Sequence, residues 1–413
     1  MPSQTSEAYV WLWLPGSAEP AVAGMVQRSR TRYRFTYAPS YLARHDAISL
    51  YQPELPLRPG WIEPLGGLTI AGTLRDAGPD AWGQRVIIQG LFGNPDAVDP
   101  GDVDQVTYFL SSASNRIGAL DFQESAVTYV ERGGSATLDE LHGAARNLAD
   151  GHDLTPEMAT ALVHGTSVGG ARPKVTITDG DMAYIAKLSR STDPYPVVKA
   201  EAVGLELARR VGIDAPASNI ISSLGHDILL VERFDRPGAG RRQMMVSGLT
   251  MLGLDEMNGR YATYPDLLDV LRRHGADPNV GKRLFERIVF NVAIGNNDDH
   301  ARNHAAFWDG RSLDLTPAYD LCPQARTGET SAQAMAIDRD GHRDSSLRLC
   351  VDSAHVYGVD RREALEMIEG QVEAIREAWG DVADANRLTT AERTYLFGRQ
   401  ILNPSTFYGL PTT

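Results

Sequence analysis

The chain has 413 residues, of which 42% are hydrophobic and 23% are charged, and its formal net charge is −13. The composition is typical of a soluble globular protein, and the length predicts two or three packed subdomains. The negative charge disfavours unaided binding to nucleic acid. Two cysteines are too few for a disulfide framework, and the apolar stretch 9–14 is too short for a signal sequence or membrane span, so we expect a cytoplasmic protein.

Short β-prone segments separated by turn residues begin the chain. YVWLWL (9–14) and RYRFTY (32–37) are rich in aromatic and β-branched residues, which predicts strands. Apolar residues at helical spacing follow in 81–92 and in 138–148, which predicts helices. We therefore expect a small β-rich region at the start of the chain, followed by helices.

The segment 174–188, KVTITDGDMAYIAKL, predicts a hairpin whose turn is Asp179-Gly180. A predicted helix over 199–211 and a predicted strand over 227–234 follow it. This order of hairpin, helix and strand is that of the N-terminal lobe of a kinase.

Lys187 lies near the end of the second strand of this hairpin, beside apolar residues. An ammonium group there is costly without an anionic partner, and a nucleotide phosphate can supply one. Glu201, at the start of the next helix, can hold the ammonium group in place, as the Lys–Glu ion pair does in protein kinases. A lysine that only snorkels at a strand end and a glutamate favoured at a helix start explain the same two residues equally well.

Helical patterns dominate the remainder of the chain. YPDLLDVLRRHG (264–275) and KRLFERIVFNVAIG (282–295) carry apolar residues at helical spacing, and Gly295 can end the second of these helices. A further helix carries one apolar face, formed by Ile368, Val372, Ile375 and Trp379. We interpret this face as core packing.

The loop after Gly295 reads NNDDHARN (296–303), and Asp320 follows it in PAYD. In the protein-kinase catalytic loop, an aspartate accepts the proton of the substrate hydroxyl, an asparagine five residues later binds Mg²⁺, and a later aspartate binds metal too. Asp298, Asn303 and Asp320 match that arrangement, although a solvated turn rich in Asn and Asp gives the same local pattern.

A zinc protease is disfavoured for the pair formed by His300 and His304. Those enzymes require a glutamate directly after the first histidine, and this chain has Ala301 there.

Five ordered segments resemble the HipA family, the serine/threonine-kinase toxins of bacterial toxin–antitoxin modules. They are SVGGARPK (167–174), AKL around Lys187, VERFDR (231–236), NNDDHARN (296–303) and PAYDLCP (317–323). LRDAGPDAWGQRVI (74–87) and RIGALDF (116–122) resemble the N-terminal region of the same family. The resemblance therefore extends over nearly the whole chain.

The resemblance implies an α+β, bilobal, protein-kinase-like fold related to the PI3/4-kinases. We expect a β-rich N-terminal subdomain over 1–125, a kinase N-lobe over 126–245 and a mostly helical C-lobe over 246–413. The implied cofactors are ATP and Mg²⁺.

The resemblance also assigns roles to individual residues. Asp298 is implied as the catalytic base, Asn303 and Asp320 as the magnesium ligands, and Ser167 as the site of an inactivating autophosphorylation. Thr166 is the alternative site of that modification, and the role of Asp299, where some members have Gly, is left open. The residues implied to contact ATP are Gly169, Gly170, Ala171, Arg172, Pro173, Lys174, Lys187, Glu232, Arg233, Phe234, His300, Asn303 and Tyr319.

The implied partners are a HipB-like helix-turn-helix antitoxin, operator DNA reached mainly through that antitoxin, and a protein substrate among the components of translation, such as glutamyl-tRNA synthetase. Two alternatives stay open at this point. One is a catalytically weak HipA-like co-repressor or binding module, and the other is a kinase of small molecules.

Overall fold

The computed structural model describes residues 5–166, 172–190, 192–326 and 328–410. The chain forms two compact units. We call them the first unit, which comprises Met1–Arg190, Ser222–Val246 and Phe307–Arg311, and the second unit, which comprises Ser191–Ile221, Ser247–Ala306 and Ser312–Thr413. The boundaries predicted at 125/126 and 245/246 stay a prediction.

An antiparallel sheet begins the first unit. Its strands are β1 (Glu7–Trp13), β2 (Pro20–Ser29), β3 (Arg32–Tyr37) and β4 (Leu120–Gln123), in the spatial order β3-β2-β1-β4. The predicted strand 32–37 is confirmed, and the strand predicted over 9–14 is β1, which starts two residues earlier.

Among the described residues of the first unit, six α-helices accompany this sheet. They are α1 (Pro39–Leu42), α2 (Gly72–Asp76), α3 (Ala81–Phe92), α4 (Gln105–Ser111), α5 (Leu138–Ala149) and α6 (Pro156–Gly165). The helix predicted over 81–92 is confirmed as α3, and Asp80 caps it by accepting a hydrogen bond from the Gly83 backbone N–H at 3.0 Å. The helix predicted over 138–148 is α5, which begins with a capping box formed by Thr137 and Glu140.

The predicted hairpin is formed by β5 (Lys174–Asp179) and β6 (Met182–Leu188). Because Asp179 pairs with Met182, the two turn residues are Gly180 and Asp181, one position later than predicted. Gly180 has φ of 57°, a value that glycine adopts without strain. The next elements along the chain are α7 (Val197–Arg210), β7 (Ser218–Ser223), β8 (His226–Glu232) and β9 (Met245–Ser247), and β8 pairs antiparallel with β6.

The second unit is mainly helical. Its remaining helices are α8 (Gly248–Met251), α9 (Tyr264–His274), α10 (Val280–Ile294), α11 (Leu347–Ser353), α12 (Arg361–Ala385) and α13 (Thr390–Leu396), and the short strands of this part of the chain are β10 (Ala305–Trp308) and β11 (Leu313–Leu315). The predicted apolar face of α12 is confirmed for Ile368, Val372 and Ile375, which are buried. Trp379 is half-buried and stacks on Phe397 with ring centroids 4.8 Å apart.

The structure thus combines antiparallel sheets with helices, as an α+β protein does. Within the described ranges, no helix has both the length and the apolar character needed to cross a membrane.

Candidate functional site

A buried helix positions the loop that carries the predicted catalytic residues. Most of α10 is buried, and the helix ends at Gly295, whose φ is 71°. A Cβ atom at this position would lie 2.7 Å from the backbone oxygen of Gln400, so both the left-handed conformation and the lack of space require glycine. The polar loop therefore starts from a rigid support.

The loop brings the predicted base and the predicted metal-binding amide together. The backbone oxygen of Asp298 accepts hydrogen bonds from the His300 backbone N–H at 2.8 Å and from Nδ2 of Asn303 at 3.2 Å. The Asn303 backbone N–H donates in turn to the His300 oxygen at 2.8 Å. The five-residue spacing seen in the sequence is therefore a closed turn, in which the Asn303 side chain is bonded to the backbone of Asp298.

The Asp298 carboxylate reaches the surface, yet the protein atoms around it desolvate it in part, and this raises its pKa. The nearby negative charges of Asp320 and Asp299 raise the pKa further, whereas His300 lowers it. A carboxylate with a raised pKa is a stronger base than an ordinary surface aspartate.

Asp320 has an unusual backbone conformation, with φ of 59° in the left-handed region. Such a conformation costs a residue other than glycine about 1–3 kcal/mol and persists where the surroundings impose it. Here the Asp320 backbone oxygen accepts hydrogen bonds from the Cys322 backbone N–H at 3.1 Å and from Nδ2 of Asn296 at 3.3 Å.

Helix α7 packs closely against this segment, since a Cβ at Gly204 would lie only 1.8 Å from the backbone oxygen of Leu321. The same helix carries Glu201, which is buried.

Asn303 and Asp320 suit a magnesium ion chemically. Mg²⁺ prefers oxygen ligands, and the two side chains offer an amide oxygen and a carboxylate. Because Nδ2 of Asn303 donates to the backbone of Asp298, the amide oxygen is the atom of this side chain that can bind a cation. The remaining predicted residues of this loop region also lie here: His300 is exposed, and Oη of Tyr319 donates to the Arg302 backbone oxygen at 2.7 Å.

Asp299 is the residue of this region that sequence reasoning left unassigned, and the structure shows what its side chain contacts. It is buried, and one of its oxygens, Oδ2, accepts three hydrogen bonds: from Oη of Tyr264 at 2.6 Å, from Nδ2 of Asn291 at 2.7 Å and from Nε2 of His304 at 2.9 Å. These donors lie on α9, on α10 and just before β10, and because the first two come from outside the loop, the loop sequence alone could not have revealed the set.

The predicted phosphate-binding residues belong to the first unit. Lys174 and Lys187 are directly opposite each other on β5 and β6, so both side chains leave the same face of the hairpin. Nζ of Lys174 lies 4.0 Å from Oδ2 of Asp80. Two lysine side chains on one face, with Asp80 beside Lys174, can contact an anionic ligand with several charges, such as a polyphosphate.

The segment 232–234, which the resemblance implies to be the adenine-binding hinge, is held by a buried ionic network within the first unit. Arg233 donates to both oxygens of Asp235, at 2.9 and 2.7 Å, and to the backbone oxygens of Asn115 and Arg116 at 3.0 and 2.6 Å. Burial alone would raise the pKa of Asp235, but Arg233 and Arg236 hold this pKa well below its usual value. The Arg233 side chain is thus engaged internally, and its backbone N–H donates to the Ala183 oxygen at 2.8 Å, so Arg233 stabilises this segment.

The other two hinge residues flank Arg233. Glu232 ends β8 opposite Tyr184 of β6, and the Phe234 ring meets the Phe307 ring edge to face at 6.0 Å.

Part of the predicted site lies outside the described residues, namely Ser167, Gly169, Gly170 and Ala171. The next predicted residues along the chain lie within them, namely Arg172, Pro173 and Lys174. The pairing of Lys187 with Glu201 stays a prediction.

A second group of possible metal ligands lies in the second unit. Ligand atoms of Asp338, Asp340 and His342 lie within 4.8 Å of one another. Oδ1 of Asp338 accepts the backbone N–H groups of Asp340 at 3.1 Å and of His342 at 2.9 Å, so an ordinary turn explains the cluster.

Comparisons with known proteins show the family and the fold of this chain. The family model described as "HipA-like C-terminal domain" matches residues 166–379. The chain is 26% identical over 246 residues to "Putative kinase Y4mE" of Sinorhizobium fredii, which covers 53% of this chain and 58% of that protein. It is also 26% identical over 204 residues to "Serine/threonine-protein kinase toxin HipA" of Shewanella oneidensis. That alignment covers 42% of this chain and 46% of that protein. The chain thus spans about half the length of the curated relatives that it matches.

A solved structure of the Shewanella oneidensis toxin–antitoxin system, which contains HipA, HipB and operator DNA, has the same fold. The TM-score is 0.67 over 97% of both chains, at 17% sequence identity. The predicted α+β class and the predicted HipA-like fold are therefore confirmed. Because the family model matches more than half of the chain, the protein belongs to the family with a HipA-like C-terminal domain.

Proposed function

We propose that the protein is a serine/threonine protein kinase that uses ATP and Mg²⁺. One observation carries the proposal: within the second unit, Asn303 is hydrogen-bonded to the backbone of Asp298, and Asn296 of the same loop is hydrogen-bonded to the backbone of Asp320. These linked segments supply a carboxylate, an amide oxygen and a second carboxylate, and this set of groups supports the proposal because phosphoryl transfer requires it.

In the proposed reaction, the Asp298 carboxylate accepts the proton of the acceptor hydroxyl as that oxygen bonds to the γ-phosphorus of ATP. The bond between the γ-phosphorus and the bridging oxygen breaks, and ADP leaves. Asn303 and Asp320 would hold Mg²⁺, which neutralises charge on the phosphates when it is bound. We assign the phosphates to Lys187 and to the segment from Gly169 to Lys174. We assign the adenine to the backbone of 232–234.

The biological role that we propose is that of the toxin of a type II toxin–antitoxin module in the cytoplasm. Its partner would be a HipB-like antitoxin that binds operator DNA, which suits a chain with a net charge of −13 because the partner then supplies the basic surface. The substrate would be a translation component such as glutamyl-tRNA synthetase, and phosphorylation of Ser167 would inactivate the kinase. The likeness of the chain to HipA of Shewanella oneidensis supports this proposal.

The test is transfer of labelled phosphate from ATP to protein in a bacterial lysate, with and without Mg²⁺. Asp298→Asn should reduce the rate about 10²–10⁴-fold, which is the usual contribution of a general base. Asp381→Asn, at an exposed position of α12, is the matched control and should leave the rate unchanged. Equal rates for wild type and Asp298→Asn would refute the kinase assignment. Label that appears only on a metabolite would instead indicate a kinase of small molecules.

A further inference from the structure

A chain of buried hydrogen bonds connects the two segments that carry the proposed catalytic groups. Nδ2 of Asn296 donates both to the Asp320 backbone oxygen at 3.3 Å and to Oδ1 of Asn291 at 2.9 Å. Nδ2 of Asn291 then donates to Oδ2 of Asp299 at 2.7 Å. Since Asp299 directly follows Asp298, the chain of bonds runs from the loop of the proposed base to the backbone of a proposed metal ligand.

Each of the two amides in this series of hydrogen bonds has a partner on either side, which makes the arrangement specific. Asn291 accepts with its oxygen and donates with its nitrogen, so neither an aliphatic residue nor a carboxylate can replace it in both roles. Asn291, Asn296 and Asp299 are each only 1% exposed. Water therefore cannot readily substitute for a lost partner.

The far end of the chain of bonds is anchored in two further elements. Tyr264 of α9 and His304, which follows the Asn303 turn, both donate to the Asp299 oxygen that Asn291 also contacts. The Tyr264 and His304 rings meet edge to face, at 5.6 Å between centroids. Asp299 is thus held from three directions, and the backbone of Asp298 is held with it.

A core built only for stability would not need this arrangement, because burying a carboxylate and two amides is costly unless every group is paired. The Nδ1 atom of His304 and the Oδ1 atom of Asn296 are buried without a hydrogen-bond partner. Asp320 also keeps a left-handed backbone, with φ of 59°. Buried polar groups and backbone strain that persist together occur where a geometry is needed for function.

We infer that Asn291, Asn296 and Asp299 are positioning residues: they form a relay that couples the Asp298 loop to the Asp320 segment and sets the spacing of the magnesium-binding groups. The metal-binding part of this inference rests on the proposed function. The coupling part rests on the hydrogen bonds alone, and it can be measured without nucleotide or metal.

The first measurement is hydrogen exchange of the full-length protein without ligands. Asn296→Ala removes both hydrogen bonds that Nδ2 of Asn296 donates, to Asn291 and to Asp320. The relay requires that the backbone amides of 298–303 and of 320–322 then exchange faster together, by about tenfold or more. Faster exchange that stays next to residue 296 would overturn the coupling.

Gln371→Ala is the matched control for this measurement. Its amide is also buried in the second unit, and Nε2 donates a single hydrogen bond to the Glu286 backbone oxygen at 3.0 Å. It therefore removes a comparable buried amide outside the relay, and the exchange of both segments should stay as in wild type.

The second measurement is the affinity for Mn²⁺, used as a spectroscopic substitute for Mg²⁺, in the presence of a non-hydrolysable ATP analogue. Loss of residues that orient metal ligands typically weakens metal binding about 10–100-fold. Asn296→Ala and Asp299→Ala should both weaken Mn²⁺ binding by this factor. Asp299→Asn, whose amide oxygen can still accept hydrogen bonds, should recover most of the affinity, and Gln371→Ala should stay within about twofold of wild type.

The outcomes distinguish the coupling of the two segments from the positioning of the magnesium-binding groups. If the relay variants lose thermal stability to the same extent as Gln371→Ala but bind Mn²⁺ as wild type does, the positioning role is wrong. If wild type itself binds no Mn²⁺ with the analogue, the proposed function and the metal-positioning role both fail. The exchange measurement then still decides the coupling.

Discussion

Replacing Gly204 with alanine should separate α7 from the segment that carries Asp320. The new Cβ would lie 1.8 Å from the Leu321 backbone oxygen, whereas ordinary contacts begin at 3.4 Å, so the backbone must move by about 1.6 Å. Both sides of this contact are backbone, since Gly204 is inside α7 and Leu321 contributes its carbonyl group. No flexible side chain can therefore absorb the displacement.

The expected cost follows from two opposing terms. Overpacking that forces the backbone to shift costs about 1–3 kcal/mol, and occasionally more. Alanine is favoured over glycine inside a helix by about 0.8–1.0 kcal/mol, which offsets part of that cost. Because this contact is backbone against backbone, the cost should lie at the upper end of its range, and we expect the free energy of unfolding to fall by about 2 kcal/mol. Because a misplacement of about 1 Å in a catalytic site can cost 10²-fold in rate, we expect phosphoryl transfer to fall by about that factor.

The assay is chemical unfolding together with the phosphate-transfer rate. Gly370→Ala is the matched control, because Gly370 also lies inside a helix, α12, but has open space where its Cβ would be. The same substitution should stabilise the protein there, by about 0.5–1 kcal/mol, and leave the rate unchanged. If Gly204→Ala is stabilising like Gly370→Ala, the close approach of α7 to Leu321 is wrong.

Two further predictions follow from buried contacts. Gly248→Ala would place a Cβ 2.5 Å from the Ala301 backbone oxygen, at the turn that carries Asn303. Both the melting temperature and the affinity for Mn²⁺ with an ATP analogue should therefore fall. An unchanged melting temperature would contradict this contact. Asp235→Ala leaves Arg233 and Arg236 buried without their carboxylate and should lower the free energy of unfolding by about 3–5 kcal/mol in urea titrations. Because the folded-state pKa of Asp235 lies below its usual value of 3.8, its stabilising effect is complete above that pH and is lost as the pH falls further. Wild type should therefore lose stability below about pH 4 more steeply than Asp235→Ala, and equal slopes would show that this ion pair does not contribute.

The local elements of this protein could be predicted from the sequence because their causes are local. The spacing of apolar residues predicted α3, α5, α9, α10 and α12, and Gly295 marked the end of α10. The hairpin β5–β6 was predicted from its alternating pattern, with its turn misplaced by one residue, because Asp179 pairs with Met182 and so extends the first strand. Asp298 and Asn303 could also be paired from the sequence, since five residues of one loop separate them and the turn closes on itself.

Only the tertiary structure showed how that loop is held. Two donors to Asp299 come from residues 264 and 291, outside the loop, and Arg233 is bonded to residues 115 and 116. Gly204 has no local pattern that distinguishes it from other helical glycines, and its significance lies in the backbone oxygen of Leu321 beside it. The sequence by itself thus determined which groups are available for the proposed chemistry and which of them share a turn. Their mutual placement depends on hydrogen bonds and close packing between residues distant in the chain, which have no periodic signature because folding alone brings them together.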